Sequence, residues 1–252
     1  MIYGLYLSAT GILTSSFRQD VIANNIANSE TVGFKRDMVS LQERPTAAQE
    51  LGAGPSQTNA LLEGLGGGMM VRGNIVDTAQ GELESGGPND MAIEGPGYFA
   101  IQSSDGIRLT RDGRFIINHA GHLIQAGSGQ DVLSDKQQPV LVEQGYPINF
   151  DHDGVVSQNG KILGRIGIFS PGNPSKLQKN GATLMSDTSS APLSTAGGVT
   201  LHPGFLERSN VDPATELVQL MDAQRQLEAN ANMIRYQDET LNLLANNVGK
   251  IS

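Results

Sequence analysis

Residues 21–37 read VIANNIANSETVGFKRD, and this stretch decides how the N-terminal part of the chain folds. Three asparagines, Asn24, Asn25 and Asn28, fall close together in an otherwise helical pattern. Asparagine is a mediocre helix former because its side-chain amide competes for nearby backbone hydrogen bonds. Gly33 follows them, and glycine readily adopts the positive φ angle with which a chain turns away from a helix. The stretch therefore predicts a helix end that is rich in amides and is followed by a glycine turn.

A narrow apolar stripe precedes this turn. Its residues follow an alternating spacing of four and three, which is the spacing of a helix that packs along one seam. The pattern predicts a helix of about 25 residues, which is roughly seven turns. The stripe consists of Leu5, Ala9, Ile12, Ser16, Gln19, Ala23 and Ile26.

The C-terminal segment carries a longer stripe of the same kind. Asp212 is a favourable N-cap, Pro213 fits the first helical position, and Glu216 lies near the positive end of the helix dipole. Neither proline nor glycine interrupts the pattern before Gly249. The segment predicts a long helix whose stripe consists of Leu220, Gln224, Leu227, Ala231, Ile234, Asp238, Leu241, Ala245 and Val248.

The centre of the chain has the pattern of β structure. Asp-Gly and Asn-Gly pairs, which favour tight hairpin turns, occur at 105–106, 112–113, 153–154, 159–160 and 180–181. The short apolar runs near them predict strands at 98–102, 114–118, 122–126 and 161–169. Small, polar, turn-rich stretches at 45–68 and 186–199 predict connectors.

The predicted fold class is α+β. The N- and C-terminal helices are of the coiled-coil type and, although discontinuous in sequence, pack together and flank a central, mostly antiparallel β domain. Each stripe is too narrow for a globular core, so the two helices pair with each other, with copies of themselves, or with both. The predicted segments are an N-terminal axial helix at 1–31, an extended connector at 32–80, the β domain at 81–205 and a C-terminal axial helix at 206–252.

Composition excludes several classes of function. The chain has 252 residues, a net charge of −9 and no cysteine. An acidic chain lacks the basic face that nucleic acid or anionic lipid requires, so we expect neither partner. Because the chain has no cysteine, thiolate catalysis and disulfide bonds are excluded. The N-terminus lacks the cationic start of a cleaved secretory signal, and no apolar run is long enough to span a bilayer, so we expect no membrane insertion.

No constellation of residues points to catalysis. His119 and His122 lack a third metal ligand, and the DHDG run at 151–154 departs from the calcium-loop pattern. The GLGGG run at 64–68 lacks the Lys-Ser/Thr of a phosphate-binding loop. We therefore predict no catalytic residue, no metal, no cofactor and no small-molecule substrate.

The stretch VIANNIANSETVGFKRD resembles the N-terminal motif of bacterial flagellar rod and hook proteins, in which A-N-N-[IL]-A-N precedes a T-x-G-F-[KR] turn. Residues 204–244, from GFLERSN to the long helix, resemble the C-terminal region of the same family. NDMAIEGPGYFAIQ (89–102) and LTRDGRFIINHAGHL (109–123) are similar to the opening of its β domain. The resemblance covers most of the chain in the family's order, and the short connector at 45–68 and the end at Ser252 favour the proximal-rod F-type over the distal-rod G-type.

The resemblance implies a structural subunit of the flagellar basal-body rod. Such a subunit polymerises through its terminal helices into the drive shaft that transmits torque from motor to hook and encloses the export channel. Its partners are copies of itself, other rod and hook proteins, and the type III export apparatus, which exports it without a cleaved signal. The resemblance places it in the rod of the basal body, which spans the periplasm. Because an unpartnered stripe buries too little surface, we expect the chain ends of the free subunit to be largely disordered.

We assign the assembly interface to the two stripes, the asparagines and the glycine turn. Buried amides would select a single alignment of the packed helices at some cost in stability; the alternative is that they lie on a wet face near a frayed helix end. The predicted interface residues are Leu5, Ile12, Ile22, Asn24, Asn25, Ile26, Asn28, Gly33, Phe34, Asn210, Leu220, Gln224, Leu227, Ile234, Leu241 and Val248.

An alternative function is a periplasmic β-domain enzyme or glycan-binding module associated with the cell wall. It would need a carboxylate pair across a cleft or an aromatic platform. The chain has seven Phe, five Tyr and no Trp, which disfavours such a platform.

Overall fold

A computed structural model describes residues 2–45, 68–189 and 192–248 of the chain. Most of the predicted connector at 45–68, and residues 190 and 191 of the second connector, lie outside this part. The chain divides into two compact units. The helical unit comprises the described parts of residues 1–26, 38–74 and 213–252, and the β unit comprises those of 27–37 and 75–212.

The helical unit contains both terminal helices, as predicted. Helix α1 spans Ile2–Ala27 and helix α2 spans Pro213–Val248, beginning at the proline that the sequence placed there. Strands β1 (Asp37–Glu43) and β2 (Met69–Val76) lie within the segment predicted as an extended connector and form a two-stranded sheet. Across the described residues, no helix combines the length and hydrophobicity that crossing a bilayer requires.

The β unit is built from short strands. They are β3 (Leu83–Ser85), β4 (Met91–Glu94), β5 (Tyr98–Ser103), β6 (Gly106–Thr110), β7 (Phe115–Ile117), β8 (Leu123–Gln125), β9 (Asp131–Val132), β10 (Asn149–Phe150), β11 (Val155–Gln158), β12 (Lys161–Arg165), β13 (Ile168–Ser170), β14 (Leu177–Lys179), β15 (Leu184–Asp187), β16 (Ser194–Thr195), β17 (Thr200–Pro203) and β18 (Phe205–Glu207). A single 3-10 turn at Pro174–Lys176 precedes β14 in the described part of this unit.

The strands form a nine-stranded sheet with smaller sheets beside it. The main path runs β14-β15-β6-β5-β9-β8-β7, and β13 pairs with both β5 and β16. A three-stranded sheet runs β10-β11-β12, and β17 pairs with β4 and β18 with β3, all antiparallel. The predicted α+β class, with terminal helices and a central antiparallel β domain, is confirmed.

Four of the five predicted turn pairs lie between paired neighbouring strands. They lie at 105–106, 153–154, 159–160 and 180–181. The fifth prediction, at 112–113, is wrong: Gly113 accepts a hydrogen bond from the Met91 amide, and a Cβ on it would come within 1.7 Å of the Met91 oxygen. The predicted strand at 161–169 is also interrupted, because Ile166 forms an isolated bridge with Ser134 between β12 and β13.

Two hydrophobic clusters form the interior of the β unit. In the larger one, the rings of Phe99 and Phe115 meet edge to face with their centroids 5.1 Å apart. The smaller one contains Tyr98, Leu109 and Phe169. Few large aromatic residues are available, so aliphatic side chains fill most of both clusters.

Candidate assembly site

The two terminal helices pack against each other antiparallel. Asn25, near the end of α1, donates from Nδ2 to Oε2 of Glu216, in the first turn of α2, over 3.2 Å. Gly4, at the start of α1, lies against Gln237. Contacts at both ends of α1 thus fix the alignment of the pair.

The seam between the helices is polar and small rather than apolar. A Cβ on Gly11 would lie 2.6 Å from Nδ2 of Asn230, and one on Gly4 would lie 2.7 Å from Nε2 of Gln237. An added Cβ would have to push these amide ends aside, so the amides of α2 lie directly against the backbone of α1. Ala223 is completely buried in the same face of α2.

The face that α1 turns towards α2 differs from the predicted stripe by one residue. Ser8, Ser15 and Ile22 are buried, and they continue the heptad positions of Gly4 and Gly11. The predicted stripe starts one residue later, and its members are exposed or half-buried. Three residues of the predicted α2 stripe, Leu220, Leu227 and Ile234, are half-buried beside the amides, whereas Gln224 of the same stripe is exposed.

Pairing leaves large apolar side chains of both helices in water. Leu13 of α1 is 70% exposed. Because Gly4 faces Gln237, the part of α2 beyond that residue extends past the beginning of α1. The exposed apolar residues of the two helices are Leu5, Tyr6, Leu13, Leu217, Val218, Met221, Met233, Tyr236, Leu241, Leu243 and Leu244.

A second constellation lies in the β unit, where a buried carboxylate holds two cations. Lys35 Nζ lies 2.5 Å from Glu207 Oε1, and Arg111 Nη1 lies 2.8 Å from Glu207 Oε2. The Lys35 ammonium also donates to the carbonyl of Ala79, and the Gly81 amide donates to Glu207. We call Lys35, Arg111 and Glu207 the junction cluster, because Lys35 follows α1 in the chain and Glu207 precedes α2.

Burial governs the ionisation of the junction cluster. Desolvation lowers the pKa of the Lys35 ammonium, and although Glu207 opposes this shift, Arg111 adds to it. The phenol ring of Tyr98 lies 4.8 Å from the Arg111 guanidinium, and burial raises the pKa of Tyr98. Two cations and one carboxylate share this interior, so both cations depend on the single carboxylate of Glu207 to remain charged there.

The residues around the junction cluster include three predicted interface residues. Gly33 has a φ of 69°, as predicted, and a Cβ on it would come within 2.4 Å of the Asp112 amide nitrogen. Phe34 is buried, with the Lys179 ammonium 3.5 Å from its ring centroid. Asn210 accepts a hydrogen bond from the Arg36 amide. These three residues make contacts within their own chain, and their role in assembly stays a prediction.

The remaining predicted residues are spread over the ends of the helices. Asn25 is buried, whereas Asn24 is exposed, and Ile26 and Asn28 are half-buried, with Asn28 accepting a hydrogen bond from Thr31. The side chain of Val248 lies outside the described part. Burial of Asn25 agrees with the proposed alignment role for that one amide.

Sequence reasoning missed the junction cluster and the amides at positions 230 and 237. Lysine and arginine in a single sequence are normally surface residues, so nothing marked Lys35 or Arg111 as buried. The only available signal was their position in the motifs T-x-G-F-K and LTRDG, whose partner Glu207 lies in a third motif.

Comparisons with known families match the three segments that meet in these contacts. A model described as Flagella basal body rod protein matches residues 5–35, and Flagellar hook protein FlgE/F/G D1 domain matches 92–162. Flagellar basal body rod FlgEFG protein C-terminal matches residues 202–247. Each matched segment contains one member of the junction cluster.

Curated relatives align over nearly the whole chain. The flagellar basal-body rod protein FlgF of Caulobacter vibrioides is 33% identical over 98% of both chains. FlgG of Bacillus subtilis is 34% identical over 98% of this chain and 99% of its own, and FlgG of Borreliella burgdorferi is 31% identical over the same shares. The F and G types thus match this chain about equally.

Proposed function

Because this chain belongs to the family of flagellar basal-body rod proteins and is a structural subunit of that rod, we propose that it polymerises through its terminal helices. The polymer would form the axial drive shaft that transmits torque from motor to hook and encloses the export channel. The comparisons give no support to the alternative of a wall-associated enzyme or glycan-binding module.

The observation that carries the proposal is the exposed apolar surface of the helix pair. Both helices carry large side chains in water after pairing, among them Leu13 of α1 and Leu217, Val218 and Met221 of α2. Leu217, Val218 and Met221 are neighbours on one face of α2, and clustered exposed apolar side chains commonly mark a protein interface. Helices of neighbouring subunits would cover these side chains, and completing the burial of each one, already about half covered, would contribute on the order of 1 kcal/mol.

The difference in helix length supports the same proposal. Helix α2 has 36 residues and α1 has 26, so α2 rises about 15 Å farther at 1.5 Å per residue. The additional turns contain Leu241, Leu243 and Leu244, all exposed. A helix of another subunit is the partner that best fits this apolar extension, because an antiparallel α1 ends before it.

The proposed partners follow from this geometry and from the family. They are further copies of the chain, other axial proteins of the rod and hook, and the type III export apparatus. The subunit belongs to the basal body, and we propose that it is exported without a cleaved signal and that the rod it builds spans the periplasm. The exposed stripes also support disorder of the chain ends before assembly, since an isolated helix gains too little burial.

A substitution on the exposed helix face tests the proposal. Leu13→Glu places a charge on the face that neighbouring subunits would cover, so the chain should fold its β unit normally but fail to enter the rod. Ile162→Glu is the matched control, because Ile162 is 71% exposed in the β unit. Immunoblots of purified basal bodies report incorporation. Normal incorporation of the Leu13 variant would contradict assembly through this face.

A further inference from the structure

We propose that Gly4 and Gly11 are the positions by which α2 selects α1 and sets the register of the pair. The helix that α2 accepts would carry glycine at two points one heptad apart, each facing an amide. This selection rests on the proposed function only in so far as the helices pair inside the assembled rod. It adds to that function a rule for which helix is accepted and in which alignment.

The contacts fall at multiples of seven residues along both helices. Asn25 meets Glu216, Gly11 meets Asn230 and Gly4 meets Gln237. Between the first two layers, Nη1 of Arg18 donates to Oε1 of Gln226 over 3.2 Å. The layers therefore have different chemistry, which is the condition for a seam to distinguish one register from another.

A slip by one heptad in either direction matches only one glycine with an amide. Moving α2 one way places Asn230 opposite Gly4, but it places the small Ala223 opposite Gly11 and leaves a void. Moving it the other way places Gln237 opposite Gly11 but the bulky Leu244 opposite Gly4. Only the observed register gives both glycines an amide.

The same slip removes the hydrogen bond at the far end of the seam. Asn25 is buried and donates to the buried carboxylate of Glu216 in the observed register alone. A buried carboxylate that loses a donor is destabilised. Polar groups thus penalise the wrong alignments, whereas a seam of uniform leucines would tolerate them.

Larger residues on a foreign helix would weaken the same contacts. A Cβ at position 11 would lie 2.6–2.9 Å from the three terminal atoms of Asn230, so this amide would have to turn away from the backbone of α1. A similar axial helix with a larger residue at position 4 or 11 would therefore pair less well at this seam. In a structure built from several related subunits, this difference would favour pairing of each α2 with a glycine-bearing α1.

A double-mutant cycle in the full chain, in which side-chain size is changed at the contact, tests this selection. Gly11→Ala adds one methyl group against Asn230, and Gly11→Ala with Asn230→Ala removes the group that it meets. Gly11→Ala with Asn232→Ala is the matched control, because Asn232 is exposed on the same helix. Helix content is measured by far-UV circular dichroism in trimethylamine N-oxide, which favours burial, and assembly is measured by sedimentation.

We expect Gly11→Ala to lose helix content, because its methyl group overpacks the contact with Asn230. We also expect the protein concentration at which half of the chain sediments to rise about tenfold. Alanine is the better helix former, so propensity alone predicts a gain. The pair with Asn230→Ala should restore native values and the control pair should not. A gain of helix in the single variant, or equal rescue by both pairs, would overturn the inference. If the unmodified chain never sediments, the proposed function is contradicted. The circular dichroism of the same variants would still test the register of the helix pair.

Discussion

Lys35 Nζ lies 2.5 Å from Glu207 Oε1, although 172 positions separate the two residues, and both side chains are 1% exposed. Lys35 belongs to the turn that follows α1, and Glu207 ends the strand that precedes α2. A buried ion pair thus ties together, inside the β unit, the two chain segments that lead to the terminal helices. Arg111, from the centre of the chain, joins them through the same carboxylate.

Replacing the shared carboxylate should destabilise the β unit strongly. Glu207→Gln leaves Lys35 and Arg111 buried without their counter-charge, and breaking a buried pair costs about 3–5 kcal/mol. The free energy of unfolding is measured with urea in a background in which the three helix tyrosines are replaced by Phe, so that Tyr98 and Tyr146 report on the β unit. Glu84→Gln is the control, because the pair of Glu84 with Arg208 is largely exposed and should matter by less than about 1 kcal/mol. Equal stability of the two variants would contradict the structural role of the junction cluster.

The β unit should become more stable as the pH rises towards 10.5. Burial lowers the pKa of Lys179 from 10.5, although its hydrogen bond with Asp37 opposes the shift. Between the lowered folded pKa and 10.5 the unfolded chain binds more protons, so the free energy of unfolding increases with pH. Lys179→Met should reduce this slope and leave the part that comes from Lys35, whose pKa burial also lowers, whereas the exposed Lys161→Met should not reduce it. The measurement stays below pH 10, because burial raises the pKa of Tyr98 above 10.0 and this shift opposes the slope only beyond that pH. A slope unchanged by Lys179→Met would show that Lys179 does not cause it.

Among the three clustered asparagines, Asn25 should matter most. Asn25→Ala removes a donor from the buried Glu216 carboxylate and should cost roughly 1–3 kcal/mol of helix-pair stability. The triple replacement of Asn24, Asn25 and Asn28 by Ala should raise the helicity of an isolated N-terminal peptide, yet impair rod assembly. Asn232→Ala, on the exposed face of α2, is the control. Normal rods from the triple variant would contradict the register role.

For the N-terminal helix, hydrophobic periodicity predicts the length but not the face that packs against α2. The length of α1 and its end before Gly33 follow from the sequence. The orientation of α1 does not, because the seam with α2 contains Gly4, Ser8, Gly11 and Ser15, none of which registers as apolar. A search for apolar stripes therefore selects Leu5 and its heptad partners, one residue away from the face that meets α2.

The junction cluster could not be predicted for a different reason. Its members lie in three distant segments, and each looks like an ordinary surface charge in isolation. What buries them is tertiary: Gly33 allows the backbone to approach Asp112, and Asn210 accepts from the Arg36 amide. The motifs that carry the family resemblance contain all of these residues, but a motif alone does not state which residues meet.

Hydrogen–deuterium exchange of residues 2–27 and 213–246, compared between the free subunit and purified rods, tests most directly whether other subunits complete the helices. We predict rapid exchange of these amides in the free subunit and strong protection in the rod, with the β unit protected in both. Equal protection of the helices in the dilute free subunit and in the rod would contradict it.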